Sequence, residues 1–135
     1  MALVTEDGTG KSDAESLCSV AVADAYHLAR GNSAWDLLDN TDDKEPALRK
    51  ATDYMTAVYR ARWEGVRYSE DQALDWPRQG VVRDSWQVDT DEVPTEVQHA
   101  CAELALKSAS ARSSFASTLD HAISLSWTSI SFSTI

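Results

Sequence analysis

Between Thr41 and Trp63 the chain carries one long apolar stripe, and a stripe of that length at helical spacing narrows the fold more than any other feature. Ala47, Leu48, Ala51, Tyr54, Met55, Val58, Tyr59 and Trp63 mark it at mostly three- and four-residue steps, the signature of a helix that buries one face. Asp42 and Glu45 have capping-box spacing, and Pro46 falls in the first turn, where its missing N–H is not needed. Gly65 stops the pattern. The expected element is the central helix of a small bundle, over 42–63.

Two further helices read clearly. From Ser19, a good cap, Val22, Ala25, Tyr26 and Ala29 keep helical spacing until Gly31. Pro94 opens another, with Val97, Ala100, Cys101, Leu104 and Ala105 as its buried stripe. These predict helices over 19–30 and 94–108. A second capping box, Ser69 to Gln72, predicts a short helix that Pro77 cuts off. Around them lie short extended pieces. Asp7 and Gly8 form a turn signal after a small apolar run, so a short strand or hairpin is expected at the start. Trp35, Leu37 and Leu38 sit in a loop or single turn and are expected to plug the core. Val81, Val82, Trp86 and Val88, with Asp84 and Ser85 between, suggest an extended loop or irregular hairpin. The fold class is mainly α, with three main helices and a short one.

After Ser108 the composition changes, with ten serines in the last 28 residues and only Arg112 and Asp120 among the Lys, Arg, Asp and Glu residues. Ile123, Leu125 and Trp127 alternate with serines, and so do Ile130 and Phe132 after a slip at Thr128 and Ser129. The chain therefore divides into a helical domain, 1–112, and an extended arm, 113–135. Leu125, Trp127, Ile130 and Phe132 are the expected partner-binding residues of that arm, which suits addition of a strand to another chain's sheet edge.

Charge and cysteine content exclude several classes. With 22 Asp and Glu against 12 Lys and Arg, the net charge is −10. A tight, sequence-independent grip on nucleic acid depends on a basic face that releases counterions. No third of this chain is net basic. Even residues 51–80 balance Arg60, Arg62, Arg67 and Arg78 with Asp53, Glu64, Glu70, Asp71 and Asp75. Cys18 and Cys101 lie far apart and outside any CxxC, which suits a reducing compartment. No segment reaches the roughly 18 apolar residues of a membrane span. The N-terminus has neither the positive region nor the apolar run of a signal peptide, so the expectation is a soluble, unexported protein without membrane contact.

Three motifs invite chemistry. Gly8, Thr9, Gly10, Lys11 and Ser12 resemble the end of a phosphate-binding loop, but Thr5 stands where its first glycine belongs, and Glu6 and Asp7 would repel phosphate. His99 and Cys101, two apart on one helix, face different ways and cannot share a metal. His27 and His121 have no partner at ligand spacing. No nucleophile, base and orienting group assemble, so no catalytic residue, metal site or cofactor is expected. Tyr54, Tyr59, Arg60, Arg62, Trp63, Arg67, Tyr68, Trp76 and Arg78 interleave rings with guanidiniums, as single-strand binders do. Much of this series coincides with the apolar stripe, however, which favours a core reading of the rings. The arginines Arg60, Arg67 and Arg78 are then candidates for a subunit interface.

The blocks MALVTEDGTG, ADAYHLARG, ALRKATDYM, YRARWEG, QALDWPRQGV and AELALKSA, in collinear order over about 110 residues, resemble tailed-phage head-completion proteins. These are head–tail connectors or adaptors, whose relatives are often labelled DnaT-like single-strand-binding proteins. The most specific block is YRARWEG followed by QALDWPR. The resemblance implies a helical protein that forms a ring, dodecameric in the family, beneath the portal and above tail or neck components. It implies a virion protein of the neck, made in the host cytoplasm, that encloses DNA without binding it tightly. Single-stranded DNA binding is the alternative. The sequence departs from the family at Leu17 and Cys18, and in its serine-rich end, where only Ser129 to Ser133 is loosely similar.

Overall fold

The longest helical patterns of the sequence become the helices of the protein, and two of them form its centre. The structure is a computed structural model that describes residues 2–110. The fold is mainly α. Its elements run α1 (Val20–Ala29), α2 (Ser33–Asp36), a π-helical turn (Asn40–Lys44), α3 (Glu45–Tyr59), β1 (Val66–Arg67), β2 (Arg78–Gln79), β3 (Val82–Arg83), β4 (Trp86–Gln87) and α4 (Thr95–Ser110). The two-residue strands make two separate antiparallel hairpins, with Val66 opposite Gln79 and Val82 opposite Gln87.

Helices α3 and α4 make the principal packing contact, and α1 lies on α4. Ala47, Leu48, Ala51, Thr52 and Met55 of α3 are buried, as are Val97, Ala100, Cys101, Leu104 and Ala105 of α4. So many small side chains let two helix backbones approach closely, and each buried carbon contributes to the hydrophobic term. The Thr52 hydroxyl sits in this seam, 3.4 Å from the Cys101 thiol, and accepts the backbone N–H of Leu17 at 3.2 Å. One hydroxyl thus ties both helices to the N-terminal segment. Burial pushes the thiols of Cys18 and Cys101 up, so both remain neutral core groups.

Helix α1 begins as expected, with the Ser19 hydroxyl accepting from the Val22 amide at 3.1 Å. It is fastened to α4 by His27, which is fully buried. Its Nε2 lies 2.9 Å from the Ala102 carbonyl and its Nδ1 lies 3.0 Å from the Asn32 amide nitrogen. Both contacts are satisfied when Nε2 carries the proton and Asn32 donates to Nδ1. Trp35 fills the space beside it, with ring centroids 4.8 Å apart, and donates its indole N–H to Asp24 at 2.7 Å. Lys44 reaches the same carboxylate at 2.9 Å. Trp35 plugs the core as the sequence implies, but Leu37 does not. It is 87% exposed.

Several local expectations are corrected. The central helix is capped by Asp39 rather than Asp42, because Asp39 Oδ1 accepts from the amides of Thr41 and Asp42 and starts a π-turn ahead of α3. It ends at Tyr59, and Trp63 packs from the following turn. The start of the chain is no hairpin. It folds back through a single parallel bridge, Thr5 to Ser16. No helix follows Ser69, and only half of the capping box forms: the Ser69 amide donates to the Gln72 side chain, while the Ser69 hydroxyl accepts from the Asp71 amide, one residue short of the box. The Gln72 side-chain amide then donates to the carbonyls of Leu74 and Pro77, which fixes a turn instead. The division at 112 and the arm at 113–135 lie at or beyond the end of the described residues.

Burial lowers the pKa of His27 from 6.5, and that of His99 in the same direction. The unfolded chain therefore binds more protons than the folded one as pH falls below about 6.5, so stability present above that value is lost. Thermal denaturation between pH 7.5 and 5.5 is expected to show a falling Tm. His27→Gln should weaken the fold at pH 7.5 and flatten the dependence. An unchanged slope in the variant would contradict this assignment.

Candidate functional site

The richest arrangement of charged groups gathers where the chain leaves α3. Asp75 is 1% exposed, and both of its carboxylate oxygens are used. Arg60 Nε, at the C-cap of α3, donates to one at 2.8 Å, and the Trp63 indole N–H donates to the other at 3.1 Å. Trp63 meets Trp76 edge to face, with centroids 5.4 Å apart, and Trp76 is fully buried ahead of a cis Trp76–Pro77 peptide. Rings and carboxylate together make the floor of this region.

Its wall is the β1–β2 hairpin, closed by Arg78. That guanidinium donates from Nε to the Glu64 carbonyl at 2.8 Å, from Nη1 to the Asp75 carbonyl at 3.1 Å and from Nη2 to the Gly65 carbonyl at 2.9 Å. It is 6% exposed. Burial lowers its pKa, opposed by Asp75 and aided by the cations of Arg67 and Arg60. Gly65 allows the hairpin to close, since it has φ +67° and an added Cβ would stand 2.1 Å from the Gln79 carbonyl oxygen.

Arg60, Arg67 and Arg78, the three interface candidates, line one open cavity of about 290 Å³ with Val66 and Asp75. Arg67 donates from Nη1 to the Gln72 carbonyl at 3.0 Å. Three cations therefore line a cavity with one carboxylate, whose oxygens are engaged by Arg60 and the Trp63 indole. Arg60 and Arg67 each keep several N–H groups without a partner among the described residues. The sequence marks the arginines but not Asp75, one of five carboxylates in residues 51–80; only its position next to Trp76 and Pro77 sets it apart.

The remaining candidates resolve differently. The glycine loop at 8–11 is an anion nest filled by its own chain: the Glu6 carboxylate accepts from the amides of Gly8, Gly10 and Lys11 at 2.8, 2.8 and 2.9 Å. Of the ring and guanidinium series, Tyr59, Trp63 and Trp76 are buried and Tyr68 is half exposed. Tyr26, pushed up to about 12 by burial and by its hydrogen bond to Glu103, is not an acid or base at neutral pH. Among the described residues no group of His, Cys, Asp and Glu could hold a metal ion, and no helix is long and apolar enough to cross a membrane. A feature the sequence does not announce is the exposure of Trp86, 79%, on the β3–β4 hairpin. Arg83 beside it is paired with Glu96, and Asp84, Asp89 and Glu92 surround the same hollow. Leu125, Trp127, Ile130 and Phe132 lie outside the described residues.

A family model described as "Putative DnaT-like ssDNA binding protein" matches residues 1–129. The chain belongs to that family. No curated protein and no solved structure matches it. Within this DnaT-like chain the match spans every described helix and both hairpins, so the Asp75 cluster lies inside the family's own fold.

Asp75→Ala is expected to lower unfolding free energy by about 3 kcal/mol, because it strands a buried indole N–H and removes the ionised partner of Arg60. Asp75→Asn, which keeps one acceptor, should cost less. Urea denaturation of both variants checks this. A loss under about 0.5 kcal/mol for the alanine variant would contradict the role given to Asp75.

Proposed function

We propose that this DnaT-like protein is a structural head–tail connector of a tailed phage, forming a ring under the portal and bridging the DNA exit channel to the tail. The observation that carries this reading is the inward use of the ring and guanidinium series. A stacking surface for single strands needs exposed rings along a basic groove, whereas Trp63 and Trp76 are buried and Arg78 is spent on three carbonyl groups. A net charge of −10 supports passage of DNA without adhesion. Among the described residues no set of groups suited to catalysis supports an enzymatic reading. On this account the protein belongs to the virion neck, and its partners are portal, tail or neck proteins and other copies of itself. The arm, through Leu125, Trp127, Ile130 and Phe132, docks on portal or on a neighbouring subunit by adding a strand to a sheet edge.

A single-stranded DNA-binding module is the second reading, and the family description favours it. The arginine cavity and the exposed Trp86 are the features that would serve it.

Cryo-electron microscopy of the full chain mixed with portal particles tests the connector reading. An added ring is expected, and its absence at saturating protein would count against it. Deleting 113–135 should leave a folded domain that no longer binds portal. Unchanged binding by the deletion variant would remove the docking role of the arm.

A further inference from the structure

The cavity lined by Arg60, Arg67 and Arg78 lies at the C-terminal end of α3, where Arg60 is the C-cap. At the other end, the segment leading into α3 carries Asp36, Asp39 and Asp42, all exposed, around Leu37, the most exposed of the large apolar side chains among the described residues. The carboxylates of Asp36 and Asp42 have no hydrogen-bond partner among the described residues. A helix of 15 residues separates the two features by about 22 Å. The surfaces are opposite in charge and distinct in place, as a head-to-tail contact requires, and such contacts close into rings.

We propose that the arginine cavity of one copy takes the Asp36–Asp42 segment of a second copy, with an aspartate carboxylate bound by the guanidiniums and Leu37 set against the cavity's apolar rim. The planar fork of arginine matches a carboxylate with two parallel N–H donors. Arg78 is held in place by its three carbonyl bonds, so one wall of the cavity is formed before the ligand arrives. Val66, 59% exposed, supplies the apolar part of the lining, and Arg is among the residue types that anchor protein interfaces. This inference deepens the connector reading and rests on its self-association.

The test uses two full-length variants, Arg67→Glu and Asp36→Arg, the second on an exposed side chain whose replacement leaves the fold intact. Sedimentation at about 150 mM salt, where the like charge of the two copies is screened beyond about 8 Å, should show the wild-type chain associating and each variant alone weakened about tenfold or more. Mixed together, the variants retain one intact cavity and one intact segment, so they should form a 1:1 pair that grows no further. Association of either variant equal to wild type, or a mixture with no pairing, overturns the proposal. Portal binding by the wild-type chain is measured in parallel. Portal binding without head-to-tail pairing sinks this inference alone, whereas loss of both sinks the connector reading as well.

Discussion

Asp75 is the group on which the second half of the fold depends. A carboxylate at 1% exposure would be prohibitively costly alone, and this one is stabilised by Arg60 from the end of α3 and by the Trp63 indole. Its own carbonyl receives Arg78, which also gathers the carbonyls at Glu64 and Gly65 and so closes β1 on β2. Removing the carboxylate therefore affects three places at once: the exit of α3, the packing of Trp63 on Trp76, and the arginine cavity. The first half depends on a different polar group, the Thr52 hydroxyl, which sits in the α3–α4 seam and receives the Leu17 amide.

The helices were legible because their stripes are long. All five residues expected on the buried face of the third helix are buried, and the Ser19 cap forms as read. Short-range signals were less decisive. Asp39 outcompeted Asp42 as a cap, since either position offers a carboxylate and only the path of the preceding chain selects between them. The box at Ser69 formed only half of its hydrogen bonds and no helix, because the Gln72 side chain is held by the Leu74 and Pro77 carbonyls in a turn, which sequence spacing does not encode. The β1–β2 pairing joins residues about twelve apart through Arg78 and has no period-2 pattern to announce it.

The site was legible in part. Arg60, Arg67 and Arg78 are far enough apart in sequence to seem independent, yet they share one cavity. Arg78 proves to be internal scaffolding as well as cavity wall. Glu6 and Asp7, noted as repelling phosphate, point to the truth about the glycine loop more directly than the glycines do. Glu6 occupies the nest that a phosphate would need. Trp86 falls in the segment expected as an extended loop or irregular hairpin, and nothing in its spacing from the valines at 81, 82 and 88 signals that it is exposed.

These features give a chain whose charged groups serve internal order, and whose proposed role is contact between proteins, within a family whose description names single-stranded DNA. Fluorescence anisotropy of a labelled single-stranded oligonucleotide, titrated with the full chain at about 50 and 200 mM salt, separates the two most directly. The account predicts no binding in the micromolar range at either salt. Saturable binding that weakens steeply with salt, in proportion to several phosphates neutralised, would contradict it.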